Sequence, residues 1–300
     1  MKIPQSLAWS ASRWPNPAVR EWVEALPVRV RDVEERWSIR VGEAFEPGGY
    51  TSYVAPATGP DGEACVLKLA YAWEPIRHEV DALRAWDGNR AIRLLRGEPF
   101  TMLLERCDPG ASLWEHADAD GVCVSILSSL WIPAPPDVPW ARLSDIALEI
   151  GERISADFQR LGEPFDPAFA SLATEFAAES ATRQQPQILL HGDFHYGNVL
   201  SAGRASWLAI DPSPLVGEPA FDAARLITER PDEILEAGDP SKALGEKIGQ
   251  LAAALELDAE RLTGWSLTRC MSIVLNAMFD DAPWAHRQVE LIPVLAAALA

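Results

Sequence analysis

The run His191-Gly192-Asp193-Phe194-His195-Tyr196-Gly197-Asn198 places a carboxylate, an amide and two histidines in one short loop. Apolar Ile188-Leu189-Leu190 leads in and Val199-Leu200 leads out. A second apolar run, Trp207-Leu208-Ala209-Ile210, ends in Asp211-Pro212. Phosphoryl transfer to an alcohol needs a carboxylate to accept the hydroxyl proton and oxygen ligands to hold Mg2+ on the phosphates. An H-x-D-x-x-x-x-N frame with a downstream Asp at a strand end supplies both. In that chemistry Asp193 is the base, and Asn198 and Asp211 are the metal ligands. Taken one at a time, Asp and Asn in a glycine-rich loop are turn formers that bond their own backbone; the ordered set argues for catalysis. A two-metal phosphoesterase is the competing chemistry. It needs further His and Asp ligands on separate loops, and His78, His116 and His286 stand in no Gly-Asn-His or His-x-His setting.

Lys68 lies inside the apolar run Val66-Leu67-Lys68-Leu69-Ala70. A long cation there is costly unless it is paired, so Lys68 is expected to bind the nucleotide's α/β-phosphates with a carboxylate from the next helix behind it. Glu79 is the candidate, sharing a helical face with Leu83 and Trp86, and Glu74 is the alternative. Pro47-Gly48-Gly49 before Tyr50-Thr51-Ser52 could close over phosphates through backbone N–H groups and the Thr51 and Ser52 hydroxyls, because glycine permits close backbone approach. The same Pro-Gly-Gly is also a plain hairpin turn. Asp222 follows a Gly-x-Pro turn and is expected to orient the catalytic loop.

These segments resemble the aminoglycoside phosphotransferase family, and within it the streptomycin 6-kinase and hydroxyurea phosphotransferase group. The likeness runs from Phe45-Glu46-Pro47-Gly48-Gly49-Tyr50-Thr51-Ser52-Tyr53-Val54-Ala55-Pro56-Ala57 through Val66-Leu67-Lys68, His78-Glu79 and Leu103-Leu104-Glu105-Arg106-Cys107. It continues through the loop to Ala209-Ile210-Asp211-Pro212, Leu215-Val216-Gly217 and Pro219-Ala220-Phe221-Asp222. Phe194, Ser213 and Glu218 depart from the family's usual Leu, Lys and Asp. The resemblance implies an α+β, protein-kinase-like fold of two lobes. The small N-terminal lobe would hold a five-stranded antiparallel sheet and a helix, and the larger C-terminal lobe would be mainly helical. It further implies a hinge at Glu105 and Cys107 whose backbone meets the adenine edge, and a His191 that braces the loop with Asp222 rather than reacting.

Organisation follows the same line. Residues 15–36 carry Val19, Trp22, Val23 and Leu26 at helical spacing, then alternating runs over 37–45, 50–57 and 64–70 read as a meander. A helix begins at Pro75, and strands at 91–96 and 100–106 follow. Cys107-Asp108-Pro109-Gly110 marks the boundary between a nucleotide-binding lobe, 1–108, with its helical N-terminal extension, and a lobe over 109–300 with catalytic loop and acceptor site. Helices are expected over 112–117, 122–131, 141–161, 167–182, 220–229, 241–255, 258–279 and 283–299.

The 300 residues carry a formal net charge of −18, with 44 acidic against 26 basic side chains. Nucleic acid and anionic membrane are therefore poor partners, since both need a basic surface, whereas a small cation would be attracted. Glu218, Asp280, Asp281, Trp284 and Glu290, with Trp265 nearby, form a candidate acidic and aromatic wall for a guanidinium or amine sugar; Asp280-Asp281-Ala282-Pro283 is equally a helix cap. No signal peptide or membrane span is visible. Cys65, Cys107, Cys123 and Cys270 form no C-x-x-C pair, which fits reduced thiols in the cytoplasm. The expectation is an ATP- and Mg2+-dependent O-phosphotransferase, monomeric or weakly dimeric, acting on a streptomycin-like hydroxyl. Hydroxyurea, an amino sugar or a metabolic amino alcohol are the alternative acceptors, and a kinase-like module without catalysis is the remaining alternative.

Overall fold

Val19, Trp22, Leu26, Val30, Val33 and Trp37 recur every three or four residues and form the buried face of helix α2 (Pro17–Trp37). In a computed structural model of the chain, described for all residues except 15, 73–76, 184, 185, 281, 283 and 300, this helix follows a shorter one, α1 (Gln5–Arg13), which the sequence pattern did not signal. Pro17 opens α2, and Asn16 accepts the Ala18 N–H at 3.0 Å as its cap, the arrangement that satisfies free amides at a helix start. Trp37 continues the Val33 stripe and stays helical, and Ser38 closes the helix in the left-handed region at φ 56°. The strand expected over 37–45 is therefore cut to β1 (Arg40–Val41), although Gly42 N–H to Pro56 O and Phe45 N–H to Val54 O extend its pairing.

β2 (Ser52–Thr58), β3 (Ala64–Ala70), α3 (Glu79–Trp86), β4 (Leu94–Glu98) and β5 (Thr101–Glu105) complete a five-stranded sheet of order β1-β2-β3-β5-β4, with antiparallel pairing throughout. Cys65, Leu67 and Leu69 of β3 pack in one core with Leu26, Val30 and Val33 of α2. Side chains alternate across a strand, so Lys68 projects from the opposite face. Of the expected helix from Pro75, residues 75 and 76 lie outside the described residues, as does Glu74.

The remaining elements are β6 (Pro109–Ser112), α4 (Ala119–Leu130), β7 (Ile132–Pro133), β8 (Ala141–Arg142), α5 (Leu143–Arg160), α6 (Pro167–Thr182), β9 (Ile188–Leu190), β10 (Val199–Ala202), β11 (Trp207–Ala209), β12 (Leu215–Gly217), α7 (Ala220–Thr228), α8 (Pro231–Leu235), α9 (Pro240–Leu255), α10 (Ala259–Met278) and α11 (Ala285–Leu299). The helix expected over 112–117 is a single 3-10 turn, Leu113–Glu115. By packing, Met1–Ala111 and Leu200–Ser213 form one unit, and Ser112–Val199 with Pro214–Ala300 the other. Residues 200–213, expected in the second lobe, are thus tied to the first: the Ile92 N–H donates to Ala209 O and the Ala209 N–H to Arg90 O, both at 2.8 Å.

In the second unit, Trp265 of α10 is wedged edge-on between Phe176 and Phe221, with ring centroids 5.4 and 5.1 Å away. The neighbouring Gly264 has no room for a methyl group, which would fall inside the Phe176 ring. Gly264→Ala should therefore destabilise the fold by about 1–3 kcal/mol through overpacking. Gly249→Ala, on α9 with nothing within 4 Å, should raise stability by about 0.4–1 kcal/mol. Urea unfolding midpoints of the two variants check this contrast, and equal midpoints would show that α10 can shift away from α6.

Candidate active site

In the first unit, the Lys68 ammonium lies 2.6 and 2.7 Å from the two Glu79 oxygens and also bonds Asp211 Oδ1. Lys68 and Glu79 are buried, with side-chain exposures of 5% and 2%, whereas the Asp211 side chain is 56% exposed. Burial works against the Lys68 charge, but the fields of Asp211 and Glu79 outweigh it and raise its pKa, so the ammonium stays protonated. Burial likewise pushes the Glu79 carboxyl up, against the pull of Lys68. Asp211 adopts the left-handed region at φ 58°, an uncommon conformation for a non-glycine residue, and this turns its side chain back onto β3.

Gly48, at φ 75°, sits where a Cβ would press on Pro4 and the Phe45 carbonyl. Ser6 of α1 donates to Pro47 O and to Gly49 O, so the N-terminal helix holds this turn. Thr51 is half-buried, while Ser52 is buried inside β2 opposite Ala70. At the expected hinge, the Glu105 N–H already donates to Arg93 O at 2.9 Å. The Glu105 carboxylate accepts from the Arg93 N–H at 2.8 Å and pairs with Arg204 at 2.6 Å. These bonds occupy the Glu105 amide and carboxylate. The half-buried Cys107 thiol is pushed up to about 11 by burial and the Glu105 charge, so it is inert at neutral pH.

The second unit carries the loop. Asp222, with no exposed surface, accepts the His191 N–H at 2.8 Å, the Gly192 N–H at 2.7 Å and the Trp131 indole N–H at 3.1 Å. Gly192 takes φ 80° to present its amide, which a side chain would resist. The His191 ring is buried edge-on against Phe194, centroids 5.4 Å apart. The Asn198 amide donates to Asp193 O at 2.9 Å and stands 3.4 Å from Asp193 Oδ2. The His195 Nδ1 accepts the Gly197 N–H at 3.1 Å, which leaves the ring proton on Nε2, 3.8 Å from Asp193 Oδ2. Burial and the Arg225 charge drive His195 down to about 4 against the pull of Asp193, so the ring is neutral at pH 7.

Three residues beside Asp193 escaped the sequence reading. Arg225 Nη1 lies 3.4 Å and Arg269 Nη2 3.7 Å from Asp193 Oδ1, and Glu229 pairs with Arg225 at 3.1 Å. Burial alone would raise the Asp193 carboxyl, but His195, Arg225 and Arg269 together hold it below the ordinary value, as an anion. Arg269 also donates to Phe221 O at 3.0 Å and Gly192 O at 3.1 Å. One signal was present: Arg269 is the one charged residue of Trp265–Val274, and a cation there must find acceptors.

Of the expected acidic wall, Glu218 and Glu290 are already ion-paired. Glu218 accepts from Arg261 Nε at 3.1 Å and from the buried Trp265 indole at 2.6 Å, and bonds Arg261 Nη2 as well; its charge is cancelled by α10. Glu290 pairs with Arg287 at 2.5 Å, a cation shared with Asp232 and Glu236. Asp280 and Trp284 are exposed, and Asp281 lies outside the described residues. Among the described residues, no set of three or more His, Cys, Asp or Glu could hold a metal by itself. Taken singly, a carboxylate such as that of Asp211 or a carboxamide oxygen such as that of Asn198 is a hard oxygen donor of the kind Mg2+ accepts. No helix among the described residues is long and apolar enough to cross a membrane.

The family model for aminoglycoside/hydroxyurea antibiotic resistance kinases matches residues 36–279. The chain is 35% identical to a streptomycin 6-kinase of Streptomyces glaucescens over 290 residues, 93% of this chain and 91% of the relative. It is also 35% identical to a hydroxyurea phosphotransferase of Kitasatospora aureofaciens over 311 residues, 98% of this chain and 86% of the relative. Among solved structures, an aminoglycoside phosphotransferase in ternary complex with AMP-PNP and hygromycin B aligns with TM-score 0.57 at 17% identity, over 90% of this chain and 99% of that one. The choline kinase of Streptococcus pneumoniae aligns with TM-score 0.61 at 12% identity, over 91% and 99%. The fold is the protein-kinase-like fold of these enzymes, and the chain belongs to the aminoglycoside/hydroxyurea antibiotic resistance kinase family.

Proposed function

We propose that the protein transfers the γ-phosphoryl group of ATP to a hydroxyl of a small cationic acceptor, with streptomycin as the first candidate. The observation that carries this is the buried Lys68 ammonium held by Glu79 and Asp211. A cation fixed in that way is preorganised for phosphate oxygens and needs no reorganisation when a nucleotide arrives. Asp193 accepts the acceptor's hydroxyl proton while the oxygen attacks the γ-phosphorus and ADP departs. Its depressed pKa keeps it anionic before the reaction, and Asn198 holds it in place. Mg2+ on Asp211 and Asn198 would neutralise charge on the phosphates. Gly48, Gly49 and Thr51 cover the phosphates, and the chain around Cys107 borders the base. An enzyme drawing on ATP would work in the cytoplasm.

The acceptor reading leans on the relatives named streptomycin 6-kinase and on the net charge of −18, which favours capture of a cation. Asp280 and Trp284, both exposed, are the candidates for direct acceptor contact. Hydroxyurea is the second reading, favoured by an equal identity of 35% to the hydroxyurea phosphotransferase. ATP consumption measured with streptomycin, other aminoglycosides, hydroxyurea and simple amino alcohols separates the two, and absence of turnover on all of them would leave only a binding module.

Asp193→Asn should lower kcat by about 10²–10⁴-fold and leave the Kd for ATP unchanged, as read by turnover and calorimetry. Turnover close to wild type would remove Asp193 from the role of base. Asp211→Ala should act on the other side, weakening nucleotide binding in the presence of Mg2+ and flattening the magnesium titration. A titration like that of wild type would make Asp211 only a partner of Lys68.

A further inference from the structure

Phosphoryl transfer as derived above gives Glu229 no task, yet it is 5% exposed at the end of α7. Its Oε1 receives Arg225 Nη2 at 3.1 Å and Nε at 3.4 Å, the Tyr196 backbone N–H lies close to the carboxylate, and Oε2 is buried without a well-formed hydrogen bond among the described residues. A buried, half-satisfied carboxylate does not stabilise a fold, because desolvation offsets what its pairing contributes. The placement makes sense through Arg225. That guanidinium divides its donors: the Nε and Nη2 edge goes to Glu229, and Nη1 alone reaches Asp193 Oδ1, at 3.4 Å. An arginine beside a carboxylate otherwise prefers a two-pronged pairing with both oxygens. Asp193 Oδ1 has a longer contact from Arg269 at 3.7 Å, and its Oδ2 faces the Asn198 amide at 3.4 Å and His195 at 3.8 Å.

We propose that Glu229 is a positioning residue for the transfer step: by occupying one edge of Arg225 it limits that guanidinium to a single contact with Asp193 and leaves Asp193 Oδ2 facing away from it. This rests on Asp193 acting as the base. Without the Glu229 charge, Arg225 turns both prongs onto Asp193 and withdraws the carboxylate from the acceptor hydroxyl.

The test is Glu229→Gln, assayed with streptomycin or hydroxyurea, whichever turns over, after a melting curve has established that the protein is folded. The expected result is a loss in kcat on the order of 10²-fold, as for a misplaced catalytic group, with the KM for ATP unchanged. The double variant Arg225→Gln/Glu229→Gln should recover activity relative to Glu229→Gln, since the competing fork is gone; a purely structural role would make the double variant worse. A crystal structure of Glu229→Gln needs no acceptor and should show two Arg225 nitrogens on Asp193. Wild-type kcat in Glu229→Gln, no recovery in the double variant, or a single Arg225 contact in that crystal structure would each overturn the proposal. Should Glu229→Gln not fold, Arg225→Lys serves instead. It keeps the cation without the fork, so kcat should stay within about tenfold of wild type, and a larger loss overturns the proposal. Failure of the underlying reading shows elsewhere, as turnover surviving in Asp193→Asn.

Discussion

A carboxylate with no exposed surface must collect donors, and Asp222 collects them from the backbone of the loop it serves. The His191 and Gly192 amides and the Trp131 indole all converge on it. Once the two amides point inward, the next residue has little freedom, and Asp193 is presented at the loop's outer edge with 41% of its side chain exposed. Arg269 fastens the same stretch from its carbonyl side through Gly192 O. Donors and acceptors of one short segment are thus consumed by side chains of α7 and α10, which is why a loop with little regular structure can hold a side chain to the tolerance that catalysis needs.

The charges around that loop are arranged by the same economy. Arg225 and Arg269 are set against Asp193, Asp222 and Glu229, and His195 is kept neutral by burial and then by the Arg225 charge beside it. In the first unit the pattern recurs with one cation and two carboxylates, Lys68 with Glu79 and Asp211. In both cases burial alone would discharge the group, and the neighbouring opposite charges keep it ionised. A fixed ion in a poorly solvated setting is worth more to a transition state than the same ion in water.

The loop from His191 to Asn198 and the lysine strand were legible in the sequence because each is local: a carboxylate and an amide five residues apart, and a cation flanked by apolar residues. The choice of Glu79 as the Lys68 partner was also accessible, since one helical turn after a strand leaves few candidates. Arg225 and Glu229 were not legible, and Arg269 only as a cation in need of acceptors, because their value depends on α7 and α10 meeting at the loop, a long-range event. The ion pairs within the expected acidic wall were missed for the mirror-image reason. Counting carboxylates near Trp265 ignored Arg261, which enters from the first turn of α10 and neutralises Glu218, and Arg287, which gathers Glu290 with Asp232 and Glu236. Element boundaries erred where a stripe continued unseen, as at Trp37, whose place on the Val33 face outweighed its aromatic preference for a strand.

On the proposed reading, chemistry and acceptor choice rest on parts with different tolerance to change. The loop's geometry is written into buried charges, and replacing Asp222, Arg269 or Asn198 leaves donors or acceptors stranded at a cost of several kcal/mol. Asp280 and Trp284 are exposed at the junction of α10 and α11, where substitutions typically shift stability by no more than about 0.5 kcal/mol. If that junction meets the acceptor, as proposed, specificity can drift with almost no penalty to the fold while phosphoryl transfer stays fixed. Equal identity to a streptomycin 6-kinase and a hydroxyurea phosphotransferase, 35% in each case, is what such a division produces. Overall identity is then dominated by the core and the loop, and the residues that separate one acceptor from another are too few to move it.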